Sequence, residues 1–187
     1  PQLFRDVIYN MKKFFRGNTY ILDVNGKAGY DHLNDLPEIS ELAVIMLPPE
    51  QSLIQAEKCA KRGVKAFVVI TGGYDDEQRQ QLLKLKREYG IRILGPNTIM
   101  GVINTANGLN TTFERDLMPR RGNISVISQS GGVGACLLDW ACYYKIGISK
   151  FAFMGDKIDI NDVDLLQYLN EDHETKVICL YMEGIER

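Results

Sequence analysis

With 187 residues, 45% of them hydrophobic and 25% charged, the chain has the composition of a globular protein with room for one large α/β domain or two small ones. A formal charge of −2 and a pI near 5.8 leave no basic field for nucleic acid. Its apolar runs fall far short of the roughly 20 residues that a bilayer crossing requires, and no signal-peptide pattern is present, so no membrane contact is expected.

In chain order, Leu3–Phe15 reads as an amphipathic helix, followed by a strand over Thr19–Val24. Strand Leu42–Leu47 leads into helix Pro49–Arg62, which opens with prolines tolerated in a first turn. Strand Ala66–Ile70, helix Asp75–Tyr89 and strand Ile91–Leu94 repeat the pattern. Residues Asn104–Gly122 carry Asn, Thr, Gly and Pro without sustained periodicity and read as a boundary, which divides the chain into 1–104, a linker over 105–122, and 123–187. Beyond it come strand Ile124–Ser128, helix Gly132–Tyr144, strand Ser149–Phe153, helix Val163–Leu169 and strand Val177–Met182. The alternation predicts α/β architecture, with parallel sheets covered by helices. A helix without a preceding strand at one end, and a bare strand at the other, read as a piece of something longer.

Open α/β sheets bind ligands at the carboxyl ends of their strands. The run Ile124-Ser125-Val126-Ile127-Ser128-Gln129-Ser130-Gly131-Gly132-Val133-Gly134 delivers two hydroxyls and three glycines to the start of a helix, where free N–H groups and the positive dipole end favour an anion. Ser128, Gln129, Ser130, Gly131 and Gly132 are therefore candidate phosphate-binding positions. The run also fits an ordinary turn with Ser130 as N-cap. It is neither a Walker loop nor G-x-G-x-x-G, and Ser-Gln-Ser-Gly-Gly is not the serine-hydrolase elbow.

Four earlier strand ends present Asn25-Gly26-Lys27, Pro48-Pro49, Thr71-Gly72-Gly73-Tyr74 and Gly95-Pro96-Asn97, a series suited to a nucleotide-like ligand lying across the edge, although each piece alone also serves as a turn. Lys27 is placed to neutralise a phosphate, and equally fits a solvated surface lysine. Glu183, after the last strand, is placed to orient a catalytic group or accept a proton, and otherwise reads as a helix-start or surface acid. The acidic stretch Gly155–Asp164 misses the spacing of a calcium loop, and its Asn161 or Asp162 reads better as a helix cap. Two distant histidines, His32 and His173, and four cysteines without a Cys-x-x-Cys pair predict no metal site, reduced thiols and a cytoplasmic setting.

Asp35-Leu36-Pro37-Glu38, Leu42-Ala43-Val44-Ile45, Gly63-Val64-Lys65-Ala66 and Gly90-Ile91-Arg92-Ile93-Leu94-Gly95-Pro96-Asn97 resemble the CoA-binding domain of the NDP-forming acyl-CoA synthetases, relatives of the succinyl-CoA synthetase α subunit and of ADP-forming acetyl-CoA synthetase α chains. Asn107-Gly108-Leu109-Asn110-Thr111-Thr112-Phe113, Ser128–Gly132, Leu138-Asp139-Trp140-Ala141, and Asp164-Leu165-Leu166 through Glu174-Thr175-Lys176-Val177-Ile178 resemble the family's flavodoxin-like ligase domain. The resemblance covers the chain in order.

It implies a Rossmann-like domain, lacking its first strand, that binds coenzyme A through Asn25, Lys27, Pro48, Thr71, Gly72 and Asn97, followed by a partial ligase domain. It also implies the helix at Ser130 as the holder of phosphate or phosphohistidine, and Glu183 as the glutamate contacting that histidine. The implied reaction is acyl-CoA + NDP + phosphate ⇌ acid + CoA + NTP, by way of an acyl phosphate and a phosphohistidine. ADP or ATP with Mg²⁺ would bind a partner, an ATP-grasp domain or β subunit, in a homo- or hetero-oligomer. The alternative is a silent acyl-CoA-sensing region attached to a protein lysine acetyltransferase.

Three departures stand out. The family's Val-Asn-Pro-Lys is here Val24-Asn25-Gly26-Lys27; Gly95–Gly101 is one residue longer than usual; and neither His32 nor His173 lies where the phosphorylated histidine would. The chain as it stands is therefore expected not to complete the reaction.

Overall fold

Residues 2–23 and 29–184 are described by the computed structural model. The β-branched runs of the first half pair side by side as β1 (Leu42–Ile45), β2 (Ala66–Val69) and β3 (Arg92–Leu94), all parallel, in the order β1-β2-β3. The register sets Val44 opposite Val68 and Val68 opposite Leu94. Two helices return the chain. α2 (Pro49–Lys61) starts on a proline, and α3 (Asp76–Tyr89) starts on a capping box in which Asp75 and Gln78 bond each other's main chain. Gly90, at φ 63°, ends α3 in the left-handed conformation that costs glycine no steric penalty. Ile45, Ala56, Phe67, Val69, Leu82, Ile91 and Ile93 close the core between sheet and helices.

The run Thr19–Val24 does not form the expected strand. Val24 lies outside the described residues, and within 19–23 only Leu22 makes a bridge, to Tyr30. β1 pairs only with β2 among the described residues, so the apolar run has no ladder to join, and composition without a partner does not make a strand.

The second sheet runs β5-β4-β7-β6-β8. Its centre is parallel: β6 (Arg121–Ser128) lies between β7 (Ile148–Phe153) and β8 (Val177–Tyr181). An antiparallel edge follows, β4 (Val102–Asn104) against β7 and β5 (Leu109–Asn110) against β4. Residues 105–122, expected as a linker, thus contain a strand, and β4 joins the second sheet directly after the first unit's last turn.

Helix α4 (Gly131–Tyr143) covers one face through Leu138 and Ala141, packed with Val126, Phe151 and Phe153. Helix α5 (Asp162–Glu171) covers the other through Leu165, Leu166 and Leu169, packed with Ile127 and Met154. The opening helix α1 (Gln2–Phe14) also belongs here, although it precedes the first sheet in sequence. Its fully buried Asn10 donates from Nδ2 to the carbonyls of Thr112 (2.9 Å) and Glu114 (3.0 Å) and accepts from the Asp116 N–H (2.9 Å).

The two sheets are joined where residues 156–160 lie along β3. Asp156, Ile158 and Ile160 donate backbone N–H groups to the carbonyls of Pro96 (2.9 Å), Gly95 (3.3 Å) and Ile93 (3.1 Å). Between them Asp159, its carboxylate fully buried, accepts from the Ile93 N–H (2.7 Å) and meets Lys86 Nζ (2.5 Å) and Arg92 Nε (3.2 Å). Removing this carboxylate strips the buried Ile93 N–H and Lys86 of their acceptor, while Arg92 keeps Asp164 (3.1 Å). Because both cations are partly exposed and can rehydrate, the expected cost of Asp159→Ala is about 2–3 kcal/mol, below the full value for a buried pair. Urea denaturation checks this, and a loss below about 1 kcal/mol would mean the junction does not depend on Asp159.

At the amino ends of β6–β8, burial opposes the charge on Asp172, but Lys150 Nζ (2.5 Å), the Thr175 hydroxyl (2.5 Å) and the Glu174 N–H outweigh it and hold the carboxyl below its usual range. A depressed folded pKa contributes stability above the unfolded value of about 3.9 that is lost as pH falls through the folded value. Asp172→Asn should therefore destabilise at pH 7 and flatten the acid limb of the stability profile below about pH 4; an unaltered acid limb would contradict the assignment.

Candidate functional site

The carboxyl ends of both parallel sets open toward one region. From β6 the chain turns at Ser128-Gln129-Ser130 into α4. Ser130, extended at φ −85° and ψ 123°, caps the helix, its Oγ accepting the Val133 N–H (3.3 Å). First-turn N–H groups have no intrahelical acceptor, and those of Gly131 and Gly132 have none among the described residues. A Cβ built on Gly132 meets nothing within 4 Å, so this turn opens to solvent. The first turn of α4 thus offers free N–H groups at a positive dipole end, with the Ile99 side chain over Gly131 and open space over Gly132.

The five expected phosphate positions divide. Ser130, Gly131 and Gly132 border the opening. Ser128 is fully buried and its hydroxyl donates to the Ser130 carbonyl (2.7 Å), so it braces the turn instead of facing a ligand. Gln129 is turned toward β8: its N–H donates to the Tyr181 carbonyl (2.9 Å), and its Oε1 accepts from the N–H groups of Glu183 (2.9 Å) and Gly184 (3.2 Å). Gln129 thus fixes the turn bearing Glu183, whose side chain is exposed beside the cradle.

In the first unit, Asn25 and Lys27 lie outside the described residues. Pro48 is exposed at the start of α2. Thr71 donates its hydroxyl to the Leu47 carbonyl (2.7 Å), tying the ends of β1 and β2 together. A Cβ on Gly72 would lie 2.6 Å from Asn97 Oδ1, so only glycine lets the Asn97 amide sit against this loop. Asn97 adopts φ 61°, donates its N–H to the Thr71 carbonyl (2.9 Å) and its Nδ2 to Asp156 Oδ1 (3.1 Å). Asp156 also accepts from Arg79 (3.0 Å). Thr71, Gly72 and Asn97 therefore form one connected group, and Asn97 links it to the second unit.

Two residues here had no signal in the sequence. Lys157 follows β7 with its side chain only 5% exposed, donating to the Gly184 carbonyl (3.0 Å) and facing Asp162 (3.4 Å), so it holds the Glu183 turn from the side opposite Gln129. In the sequence it stands inside the acidic stretch Gly155–Asp164, where nothing sets it apart. Ile99 adopts φ 60°, a conformation that costs a β-branched residue roughly 1–2 kcal/mol, and lies over Gly131. A 480 Å³ cleft among His32, Asn34, Lys58, Lys61 and Arg62 sits at the far end of α2, away from the strand carboxyl ends. Among the described residues, no three His, Cys, Asp or Glu side chains converge as a metal site.

Residues 18–104 match the CoA binding domain family, and residues 121–187 match the family described as succinyl-CoA ligase like flavodoxin domain. Fold and site thus define an α/β protein with a CoA-binding unit joined to a flavodoxin-like ligase unit. The ADP-forming acetate–CoA ligase I subunit alpha of Pyrococcus furiosus is 37% identical over 174 residues, which are 88% of this chain and 37% of that one. The ADP-forming acetate–CoA ligase of Methanocaldococcus jannaschii is 36% identical over 189 residues, 96% of this chain and 26% of that one. A solved structure of the dinucleotide forming acetyl-coenzyme A synthetase 1 of Ca. Korarchaeum cryptofilum, in complex with phosphate and ADP, superimposes with a TM-score of 0.87 at 35% identity, covering 99% of this chain and 41% of that chain. The chain belongs to the NDP-forming acyl-CoA synthetase family and spans less than half the length of these relatives.

The open space above Gly132 gives a discriminating substitution. Gly132→Val should leave thermal stability within about 1 kcal/mol of the parent, since nothing surrounds the new side chain. It should also abolish protection of the full-length protein by phosphate against thermal unfolding. Phosphate protection retained in the variant would remove the start of α4 from the anion site.

Proposed function

We propose that the full-length protein is an NDP-forming acyl-CoA synthetase. The observation that supports this most strongly is the meeting of two chemically different halves: the Thr71–Gly72–Asn97 group at the edge of the CoA-binding unit, and the N-terminus of α4 in the ligase unit, joined through Asn97 and Asp156. The reaction asks for that juxtaposition. A phosphate oxygen attacks the thioester carbonyl, the sulfur departs with the bonding electrons as CoA thiolate, and the acyl phosphate then passes its phosphoryl group to a histidine and releases the acid.

In this reading Asn25, Lys27, Pro48, Thr71, Gly72 and Asn97 line the path of CoA. Ser130 shapes the turn that offers the Gly131 and Gly132 N–H groups to phosphate, where fixed dipoles stabilise the anion without reorganising. Gln129 positions Glu183 against the phosphorylated histidine. An ATP-grasp domain or β subunit would supply that histidine's nucleotide partner with Mg²⁺, and the short-chain acid would bind near the cradle. No helix among the described residues is long and apolar enough to cross a membrane.

The test is to incubate the full-length protein, with its nucleotide-binding partner, with γ-phosphate-labelled ATP and Mg²⁺. The expected result is acid-labile protein-bound phosphate that is discharged by a carboxylic acid plus CoA. Acyl-CoA binding without any label would overturn the ligase assignment. In the same assay Glu183→Gln should slow phosphoryl transfer at least about tenfold while CoA affinity is unchanged; an unchanged rate would remove Glu183 from the site.

A further inference from the structure

The lengthened turn Gly95–Gly101 carries one feature that CoA binding does not account for. Its backbone is pinned to the end of β2 by three hydrogen bonds, from Asn97 to Thr71 (2.9 Å), Thr98 to Val69 (3.3 Å) and Ile99 to Ile70 (3.2 Å). Thr98 is then buried in the first unit and Met100 in the core of the second, each about 1% exposed. Ile99, between them, takes φ 60° and remains 42% exposed. A β-branched residue is a poor choice for that conformation, which glycine or asparagine adopts with little cost. Burial in a core does not compensate it, because the side chain is not in one. It lies against the first residue of α4: a Cβ on Gly131 would be 3.0 Å from Ile99 Cδ1 and 3.6 Å from Cγ2.

Strain held by surrounding hydrogen bonds at an exposed position points to a task for the side chain. Ile99 stands between Asn97, in the turn that faces CoA, and Gly131, in the anion cradle. On the ligase reading proposed above, on which this inference rests, the thioester carbonyl must be reached by a phosphate held at that cradle, so the acyl chain occupies the space between these two residues. The geometry points to Ile99 as a specificity-determining residue: its side chain is an apolar wall that limits the size of the acyl group, so that short-chain acids are favoured over branched or aromatic ones.

The test uses the full-length protein with its nucleotide-binding partner, comparing the parent with Ile99→Gly and Ile99→Ala. Glycine accepts the positive φ, so this variant removes the wall and relieves the backbone together, and its fold is not at risk from strain; alanine removes the wall and keeps the strain. Two readouts are taken: the ratio of kcat/KM for phenylacetate to that for acetate, and the ratio of dissociation constants for phenylacetyl-CoA and acetyl-CoA. Both variants should shift each ratio toward the aromatic acyl group by about tenfold or more, the scale set by a few methylene-sized groups in an apolar pocket. Ratios within about twofold of the parent in both variants would overturn the inference, including the case where only the melting temperature moves. A parent that binds both acyl-CoAs but never turns over would refute the ligase reading, and the binding ratio would still decide the role of Ile99.

Discussion

The buried Asp159 carboxylate and the backbone pairing around it govern the relation of the two sheets. Burying a carboxylate is costly unless its lone pairs are used. Here Lys86, Arg92 and the Ile93 N–H use them, and all three donors come from the first unit while the acid comes from the second. The same five residues, 156–160, hydrogen-bond along β3 from Ile93 to Pro96. This makes the loop after β7 a direct continuation of the first sheet's edge. The consequences are local and specific: Gly155 is pressed against Pro96 and Asn97, Asp156 meets Asn97 and Arg79, and Ile99 comes to rest on Gly131. The strand-edge groups of the two sheets thereby adjoin.

On the proposed function, the two halves of that site would bind by different means. At the start of α4 the recognition elements are main-chain dipoles, whose effective half-charge cannot titrate and which need no rotamer ordering. At the first unit's edge they are side chains and glycines held by cross-strand bonds, with Thr71 tying the ends of β1 and β2 and Gly72 admitting the Asn97 amide. The turn bearing Glu183 is held from two sides, by Gln129 on its N–H groups and by Lys157 on the Gly184 carbonyl. A mobile carboxylate beside an anion site would repel the anion or wander from it; bracing its backbone fixes where the negative charge can lie.

Much of this was legible in the residues because the signals were local. The capping boxes at Asp75 and Asn161, the proline start of α2 and the Gly90 stop define helices whatever they pack against. The N-cap at Ser130 is local in the same way. What could not be read depends on partners distant in sequence. Thr19–Leu22 has strand composition but no neighbouring ladder. α1 has an apolar face that carries no address, and its place on the second unit is decided by Asn10 meeting Thr112, Glu114 and Asp116. The edge strands β4 and β5 span three and two residues, too few for any periodicity. Ser128 looked like a ligand-facing hydroxyl, yet strand alternation together with a two-residue turn directs it inward. Lys157 and Ile99 owe their character to partners that the local sequence does not announce, the Gly184 carbonyl for Lys157 and the end of β2 for the Ile99 turn.

The central claim is that one reaction centre lies across the junction, with the CoA turn on one side and the α4 cradle on the other. The most direct measurement is a crystal structure of the full-length protein with CoA and phosphate bound together. The account predicts the phosphorus atom on the N–H groups of Gly131 and Gly132, and the CoA sulfur beside Asn97 and Ile99, separated by no more than about the reach of a near-attack geometry plus one acyl carbon. Phosphate bound elsewhere, or a thiol directed away from the start of α4, would contradict it.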